Sequence, residues 1–271
     1  FFEWVHQGLT TRIQEKARDA RFTFMTDFCK ENRISMLFLG HHSNDQLETF
    51  FMRFFHGSGL RGLTGMHEKT PYRGIFLVRP FLSMEKEELL ALLKKIHQKF
   101  LQDPSNENPL FLRVKWRQIL EKFTGQTERR HALTTLSKLS ACEEALAFYE
   151  TKMFSAYVSI SSYGYALIKG SFFQDSPPLE ISVRILEKAL ISLFNLSPPL
   201  RRERLERCLE KMRSPGFLTT TLGGCLISQK KEDFLITREP ALMQSLIISE
   251  KIEKRIWDNR FYLDKIVVEK N

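Results

Sequence analysis

The segment Ile34–Phe55, with the sequence ISMLFLGHHSNDQLETFFMRFF, decides the fold class of this chain. Its first six residues are almost all apolar and end at Gly40, a pattern typical of a central strand in a parallel sheet. Ser43, with Gln46 three residues later, has the pattern of a helix N-terminus, and apolar residues at helical spacing follow. The segment therefore predicts a strand, a tight turn and a helix.

The flanking segments alternate between helix and strand patterns. A second strand is predicted at Ile75–Val78, and the helix after it would be capped by Ser83 and run to about Lys99. Between the two strands, four glycines in the segment His56–Met66 are expected to prevent regular structure. Upstream, a helix from about Thr11 to Lys30 is predicted from apolar residues at helical spacing, namely Ile13, Ala17, Ala20, Phe24 and Phe28. This order predicts an α/β domain with a doubly wound parallel sheet.

The pattern changes after about residue 118. The second part has no internal repeat, and its segments predict a helical or α+β domain. We therefore expect two domains, residues 1–118 and 119–271. The segments concerned are a long helix at about His131–Tyr157, alternating stretches near Val158–Ile168, a helix at about Leu179–Leu196, a basic helix at Arg201–Arg213 and a hairpin at Leu218–Ile236.

The composition excludes several classes of protein. The 271 residues include 41 Lys and Arg against 32 Asp and Glu, so the formal net charge is +9. The four cysteines form no CxxC pair, which argues against a zinc knuckle or an iron–sulfur site. No apolar run is long enough to cross a bilayer and no signal peptide is recognisable, so we expect a cytoplasmic protein without membrane partners.

The positive charge is concentrated in two stretches. The segment Arg113–Lys138 contains seven basic residues and only two glutamates, which favours contact with the phosphates of a nucleic acid. The segment Arg201–Arg213 carries six basic residues and three glutamates. It is either a further nucleic-acid contact or a solvated helix with Glu–Arg pairs, such as Glu203–Arg207 and Glu206–Arg202.

Two carboxylates follow the first predicted strand directly. Asp45 and Glu48 are three residues apart, so they share a helix face near the carboxyl end of that strand, where α/β sheets bind their ligands. Such a pair could bind an ammonium group, hold Mg²⁺ against phosphates or act as a base. Alternatively, the acids only stabilise the helix N-terminus. The adjacent His41 and His42 favour the functional interpretation.

The segment GHHSNDQLETFFMRFFHGSGLRGLTGM closely resembles the pattern of the bacterial tRNA(Ile)-lysidine synthetases, GHHxDDQxET followed by RxxxGSGLxGLxGM. Further segments resemble this family in the expected order. They are IQEKARDARF at Ile13–Phe22, RPFLSMEKEEL at Arg79–Leu89, DPSNENPLFLRVKWR at Asp103–Arg117 and, less specifically, PPLRRERLERCLE and TLGGCLI.

The resemblance implies an ATP-dependent ligase of the PP-loop type that uses ATP and Mg²⁺. Such an enzyme adenylates C2 of the wobble cytidine of tRNA(Ile), and the ε-amine of L-lysine then displaces AMP. Carried over by motif, Asp45 and Glu48 would handle lysine and the activated base, while His41 and Arg113 would lie near ATP. Contacts to tRNA are expected from Lys115, Arg117, Arg129, Arg130, Arg201 and Arg202, and a homodimer is among the expected assemblies.

The sequence departs from the family pattern at three places. Asn44 replaces the first Asp of DDQ, and Val114 replaces Asn in RNRxR. The SGGxDS motif, which binds pyrophosphate in the family, is not found in the chain. We therefore expect Phe1 to lie inside the nucleotide domain and the isolated chain to be inactive.

Two alternative functions remain open at this point. One is a tRNA 2-thiocytidine synthetase, a related PP-loop enzyme, although that chemistry is expected to need clustered cysteines. The other is a non-catalytic remnant that binds tRNA, which the replacement at Asn44 and the absence of SGGxDS would favour.

Overall fold

The computed structural model describes residues 13–101, 112–123, 125–193, 200–243, 251–257 and 261–267. The chain forms two compact units, Phe1–Glu143 and Glu144–Asn271. Their division falls inside a single helix, Gln126–Tyr157, whereas the sequence pattern predicts a boundary at residues 118/119. That helix contains no glycine or proline, so no breaker marks the boundary in the sequence.

The first unit has the predicted α/β class. Its sheet has the order β1-β3-β2, with β1 parallel and β2 antiparallel to the central β3. The β2–β3 hairpin was not predicted, because β2 is a four-residue edge strand that contains Pro71. The elements are α1 (Ile13–Glu31), β1 (Met36–Phe38), α2 (Ser43–Phe55), α3 (Leu60–Leu63), β2 (Lys69–Tyr72), β3 (Ile75–Val78), α4 (Lys86–Lys95), α5 (Leu112–Phe123) and the start of α6 (Gln126–Tyr157).

Helix α1 presents a different face to the sheet from the one predicted. Phe22 and Cys29 are buried with Ile75 and Leu77 of β3, whereas Phe24 and Phe28 are exposed. Both sets have helical spacing, so the sequence pattern alone could not choose between them. Strand β1 is likewise shorter and more exposed than the predicted central strand, with Met36 and Phe38 at the surface.

Two helix starts also differ from the predictions. The N-cap of α2 is His42, so Ser43 is already the first helical residue and is buried. The N-cap of α4 is Glu85 rather than Ser83, and its backbone N–H donates to Glu88 Oε2 at 2.9 Å. Helix α4 ends at Lys95, before the predicted end at Lys99.

The second unit is an α+β structure, as predicted. Its five-stranded sheet has the order β4-β5-β8-β7-β6, and every pairing in it is antiparallel. The predicted hairpin at Leu218–Ile236 is a three-stranded meander, and β9 and β10 form a separate antiparallel pair. The elements are β4 (Val158–Ser161), β5 (Tyr165–Ile168), α7 (Ser171–Gln174), α8 (Leu179–Leu193), α9 (Arg202–Arg213), β6 (Thr219–Leu222), β7 (Cys225–Lys230), β8 (Asp233–Arg238), a 3-10 turn (Pro240–Leu242), β9 (Lys251–Trp257) and β10 (Phe261–Val267).

The core of this unit lies between the sheet and helices α8 and α9. Ile185 and Leu190 of α8 are fully buried with Leu209 of α9 and Ile227 and Ile236 of the sheet. None of the helices that the structure describes is long and apolar enough to cross a membrane.

Candidate active site

The site forms where the chain leaves the carboxyl ends of the parallel strands. The Leu39 N–H donates to the Val78 carbonyl at 2.8 Å, and His42 forms a parallel bridge with Phe81. The Ser43 N–H then donates to the Met84 carbonyl at 2.9 Å. These bonds attach the first turn of α2 to the segment that follows β3, the edge of an α/β sheet where ligands bind.

Asp45 is held in place, but neighbouring cations compensate its charge only in part. Its Oδ2 accepts a hydrogen bond from the His42 backbone N–H at 3.0 Å and lies 3.5 Å from the His42 ring. Its Oδ1 lies 3.7 Å from a guanidinium nitrogen of Arg113, which is too long for a strong hydrogen bond. The side chain keeps some exposure, so Asp45 can accept a ligand cation.

Glu48 is in a different environment. Its side chain is 1% exposed, and both oxygens accept hydrogen bonds from helix α5. Arg113 Nε donates to Oε2 at 3.0 Å, and Arg117 Nε donates to Oε1 at 2.7 Å. The two arginines are four residues apart and so share one face of α5. The hydrogen bond to Glu48 raises the pKa of Arg117.

A cleft of about 460 Å³ opens beside this ion cluster. Its lining includes carboxylates and cations together with the amide of Asn44, so it can accept both ends of a zwitterion. Asn44, one of the departures from the family pattern, therefore lies at the cleft itself. The charged lining residues are Asp45, Glu87, Glu121, Lys86, Arg117 and Arg129.

His41 is uncharged at neutral pH. Burial is the main cause that lowers its pKa to about 4. The charge of Asp45 opposes this shift, whereas the neighbouring cations Arg113, Arg79 and Arg18 add to it. Its ring Nδ1 is buried and makes no hydrogen bond to another described residue. A neutral imidazole with an unused nitrogen can donate to or accept from a bound ligand.

Sequence reasoning did not include Arg18 and Arg79 among the site residues. Arg79 is buried directly after β3 and donates to the His67 carbonyl at 2.8 Å and to Thr70 Oγ1 at 3.0 Å. Burial and the charge of Arg18 lower its pKa. The signal for Arg79 was its position at a strand's carboxyl end, and both arginines lie in segments that resemble the family motifs.

The glycine-rich loop packs against the same helix α2. The Gln46 amide donates to the Met66 carbonyl at 2.6 Å and accepts from the Met66 N–H at 2.7 Å. Arg53 donates to the carbonyls of Gly62 and Gly65, both at 2.8 Å. The expectation of no regular structure was wrong in part, because the loop contains the one-turn helix α3.

The remaining predicted tRNA contacts differ in their surroundings. In the first unit Arg129 lines the cleft, and Lys115 and Arg130 are exposed. In the second unit Arg201 is exposed, while Arg202 pairs with Glu180 at 2.5 Å and with Glu206 at 2.7 Å. Of the two Glu–Arg pairs predicted for a solvated helix, Glu206–Arg202 is thus present. Arg207 donates instead to the backbone carbonyl of Glu203.

The family motif containing α5 is described only in part. Residues 103–111 of DPSNENPLFLRVKWR lie outside the described residues. Val114, which departs from RNRxR, is buried in the first unit, so its side chain serves packing.

The described residues suit a nucleotide phosphate better than Mg²⁺. Arg18, Arg79 and Arg113 surround His41 and would attract an anion. Of the two carboxylates in the motif, Glu48 already accepts hydrogen bonds from guanidinium groups on both oxygens, which leaves Asp45 to face a ligand. In the described part of the chain, no group of three His, Cys, Asp or Glu side chains could hold a metal ion.

Comparison with known proteins shows which families this chain resembles. Residues 2–123 match the model of the PP-loop domain. The tRNA(Ile)-lysidine synthase of Wolbachia sp. subsp. Brugia malayi (strain TRS) is 33% identical over 263 residues, and that of Wolbachia pipientis wMel is 31% identical over 262 residues. These matches confirm the resemblance that the motifs indicate.

Each of these two alignments covers 95% of this chain and 60% of the relative, so the chain spans about three fifths of their length. Among solved structures, the U34-tRNA thiolase NcsA from Methanococcus maripaludis, with its [4Fe-4S] cluster, aligns with a TM-score of 0.41 and 17% identity. That alignment covers 50% of this chain and 46% of the thiolase, a similarity too low to transfer function.

Proposed function

We propose that this chain forms part of an enzyme that joins lysine to the wobble cytidine of tRNA(Ile), with ATP as the activating substrate. ATP would transfer AMP to the C2 oxygen of the cytidine and release pyrophosphate. The ε-amine of lysine would then form a C–N bond at C2 as the C–O bond to AMP breaks. The products are lysidine, AMP and a proton.

The observation that carries the proposal is the mixed charge of the cleft beside α2. Free lysine has two ammonium groups and one carboxylate. A site for it therefore needs carboxylate side chains and a cationic side chain within one small space. Asp45 and Glu121 supply carboxylates, and Arg117 or Arg129 supplies a cation for the lysine carboxylate.

The two acids of the motif then have separate roles. Asp45 faces the cleft and would bind an ammonium group of lysine. Glu48 would act as a positioning residue, because it orients Arg113 and Arg117 from a buried site. Direct contact between Glu48 and lysine would require these arginines to release its carboxylate.

The cations around the site suit the other substrates. Arg113 and neutral His41 would hold ATP phosphates at the carboxyl end of β1. Exposed Lys115 and Arg130, with Arg129 in the cleft, would contact tRNA phosphates in the first unit. Arg201 and Arg202 are assigned to tRNA from the second unit, with Arg202 the weaker because two glutamates already pair with it.

Lysine incorporation tests the proposal. The enzyme that contains this chain is incubated with tRNA(Ile), ATP and radiolabelled lysine. We expect label in the tRNA that depends on ATP and is lost when the wobble cytidine is replaced by uridine. Sulfur transfer to the cytidine, or no incorporation of lysine, would contradict the proposal.

A further inference from the structure

Five aromatic rings on α2 and α5 form a continuous cluster that the function described above does not use. We call it the aromatic surface, and its members are Phe50, Phe51, Phe54, Phe55 and Trp116. Phe55 stacks on Trp116 with ring centroids 4.8 Å apart and planes 25° apart. Phe51 stacks on Trp116 from 6.5 Å, and Phe54 meets Phe55 edge to face at 5.4 Å.

The outer part of this surface is open to solvent. Phe55 is 65% exposed and Phe54 is 54% exposed. Single exposed apolar side chains are common, but adjoining exposed aromatic rings usually mark a contact site. One face of Phe55 is covered by Trp116, and the ring is still exposed enough for a further flat partner to stack on it.

The charges beside these rings favour an anionic partner. Lys115 and Lys122 are exposed and lie on one flank of Trp116, with exposed Ile119 between them on the helix. The one acid of α5, Glu121, lies on the other flank and lines the cleft. Flat rings with lysines alongside have the composition of a surface that stacks bases of single-stranded nucleic acid.

The aromatic surface also adjoins the proposed active site. Phe55 follows Glu48 by seven residues on α2, about 10 Å along the helix axis. Trp116 lies between Arg113 and Arg117, which bind Glu48, and the lysine pair of α5. A single strand covers this distance within a few nucleotides.

We propose that Phe55, supported by Trp116, stacks an unpaired base of the tRNA anticodon loop next to the cytidine that is modified. This inference rests on the proposed function, because it takes tRNA as the substrate. Lys115 and Lys122 would neutralise the phosphates on either side of that base. The aromatic surface would thereby hold the loop while the cytidine reaches the cleft.

Equilibrium binding of tRNA(Ile) to the 271-residue chain tests the inference. Phe55→Leu removes the aromatic face but keeps an apolar side chain, and we expect binding about five-fold to one-hundred-fold weaker. Phe55→Tyr should retain the affinity. Phe148→Leu is the matched control, because Phe148 is a 74% exposed phenylalanine outside the aromatic surface, and its affinity should not change.

The salt dependence separates stacking from charge. The Phe55→Leu variant should keep the slope of log K against log salt, because stacking releases no counterions. The double variant Lys115→Ala/Lys122→Ala should reduce that slope by about 0.7–0.9 for each lost phosphate contact. A Phe55→Leu variant with unaltered affinity would overturn the inference while leaving the proposed function intact.

Two further outcomes would also decide the matter. If the original chain does not bind tRNA(Ile), the proposed function and the inference fail together. If Phe55→Leu dissociates a dimer in analytical ultracentrifugation without changing tRNA affinity, the surface is a contact between copies of the chain and the inference is wrong. The thermal unfolding midpoint of Phe55→Leu is compared with that of the original chain. An unchanged midpoint shows that a loss of affinity does not come from a loss of folding.

Discussion

At the residue scale, the buried carboxylate of Glu48 determines the site's structure. A buried charge is tolerated only where partners compensate for its lost hydration, and two guanidinium groups do so here. The sequence placed Asp45 and Glu48 on one helix face but could not distinguish their environments. That difference depends on α5, which lies more than sixty residues later in the chain.

The Arg117→Ala variant should destabilise the protein although Arg117 is partly exposed. Removing one partner of a buried ion pair costs about 3–5 kcal/mol, and the remaining Arg113 should reduce the loss to about 1–3 kcal/mol. Urea unfolding measures the change, with Lys115→Ala on the same helix as the control. Equal unfolding midpoints for the two variants would show that Arg117 does not compensate Glu48.

His41 should make stability depend on pH. Its pKa is lowered to about 4 in the folded chain, from about 6.5 when unfolded, so the unfolded chain takes up the proton first as the pH falls. The contribution of neutral His41 to the free energy of unfolding is therefore complete above pH 6.5. It is lost between pH 6.5 and 4, by at most about 1.4 kcal/mol per pH unit.

The comparison of unfolding at pH 7 and pH 5 isolates this effect. The His41→Gln variant should lose less stability than the original chain over this interval, whereas His131→Gln, at an exposed position, should behave like the original. Parallel losses in the original chain and His41→Gln would show that His41 keeps an ordinary pKa.

At the element scale, α2 and β3 could be predicted from local patterns, because the apolar spacing indicates the helix and the residue composition indicates the strand. The N-cap of α2 was still misplaced by one residue, since His42 and not Ser43 occupies it. The buried face of α1 could not, because two sets of residues fit the helical period and packing against Ile75 and Leu77 selects one of them. The glycine-rich loop was recognisable, but its bonds to Gln46 and Arg53 were not, since they depend on side chains of α2.

Gly65 should be indispensable to that loop. It has a φ of +75°, and an added Cβ would lie 2.6 Å from Gln46 Oε1. Gly65→Ala should therefore cost about 1–3 kcal/mol in thermal or urea unfolding. Gly59 is a matched control with a φ of −67° and no atom within 4 Å of an added Cβ, so Gly59→Ala should change stability little. Similar losses in both variants would contradict this role of Gly65.

At the scale of the whole molecule, composition and element order predicted an α/β unit followed by an α+β unit. The two compact units divide inside α6, which continues through the division without a breaker. The resemblance motifs concentrate in the first unit, where the cleft and its ion cluster also lie. The proposed chemistry therefore depends on the first unit, with further tRNA contacts assigned to the second.

The lysine dependence of lysidine formation tests the central claim most directly. In the lysine-incorporation assay with the enzyme that contains this chain, Asp45→Asn removes the charge at the cleft but keeps the side-chain size. We expect the KM for lysine to rise at least ten-fold, about 1.4 kcal/mol, while the affinity for tRNA(Ile) is unchanged. An unchanged KM for lysine in Asp45→Asn would contradict the assignment of this cleft to lysine.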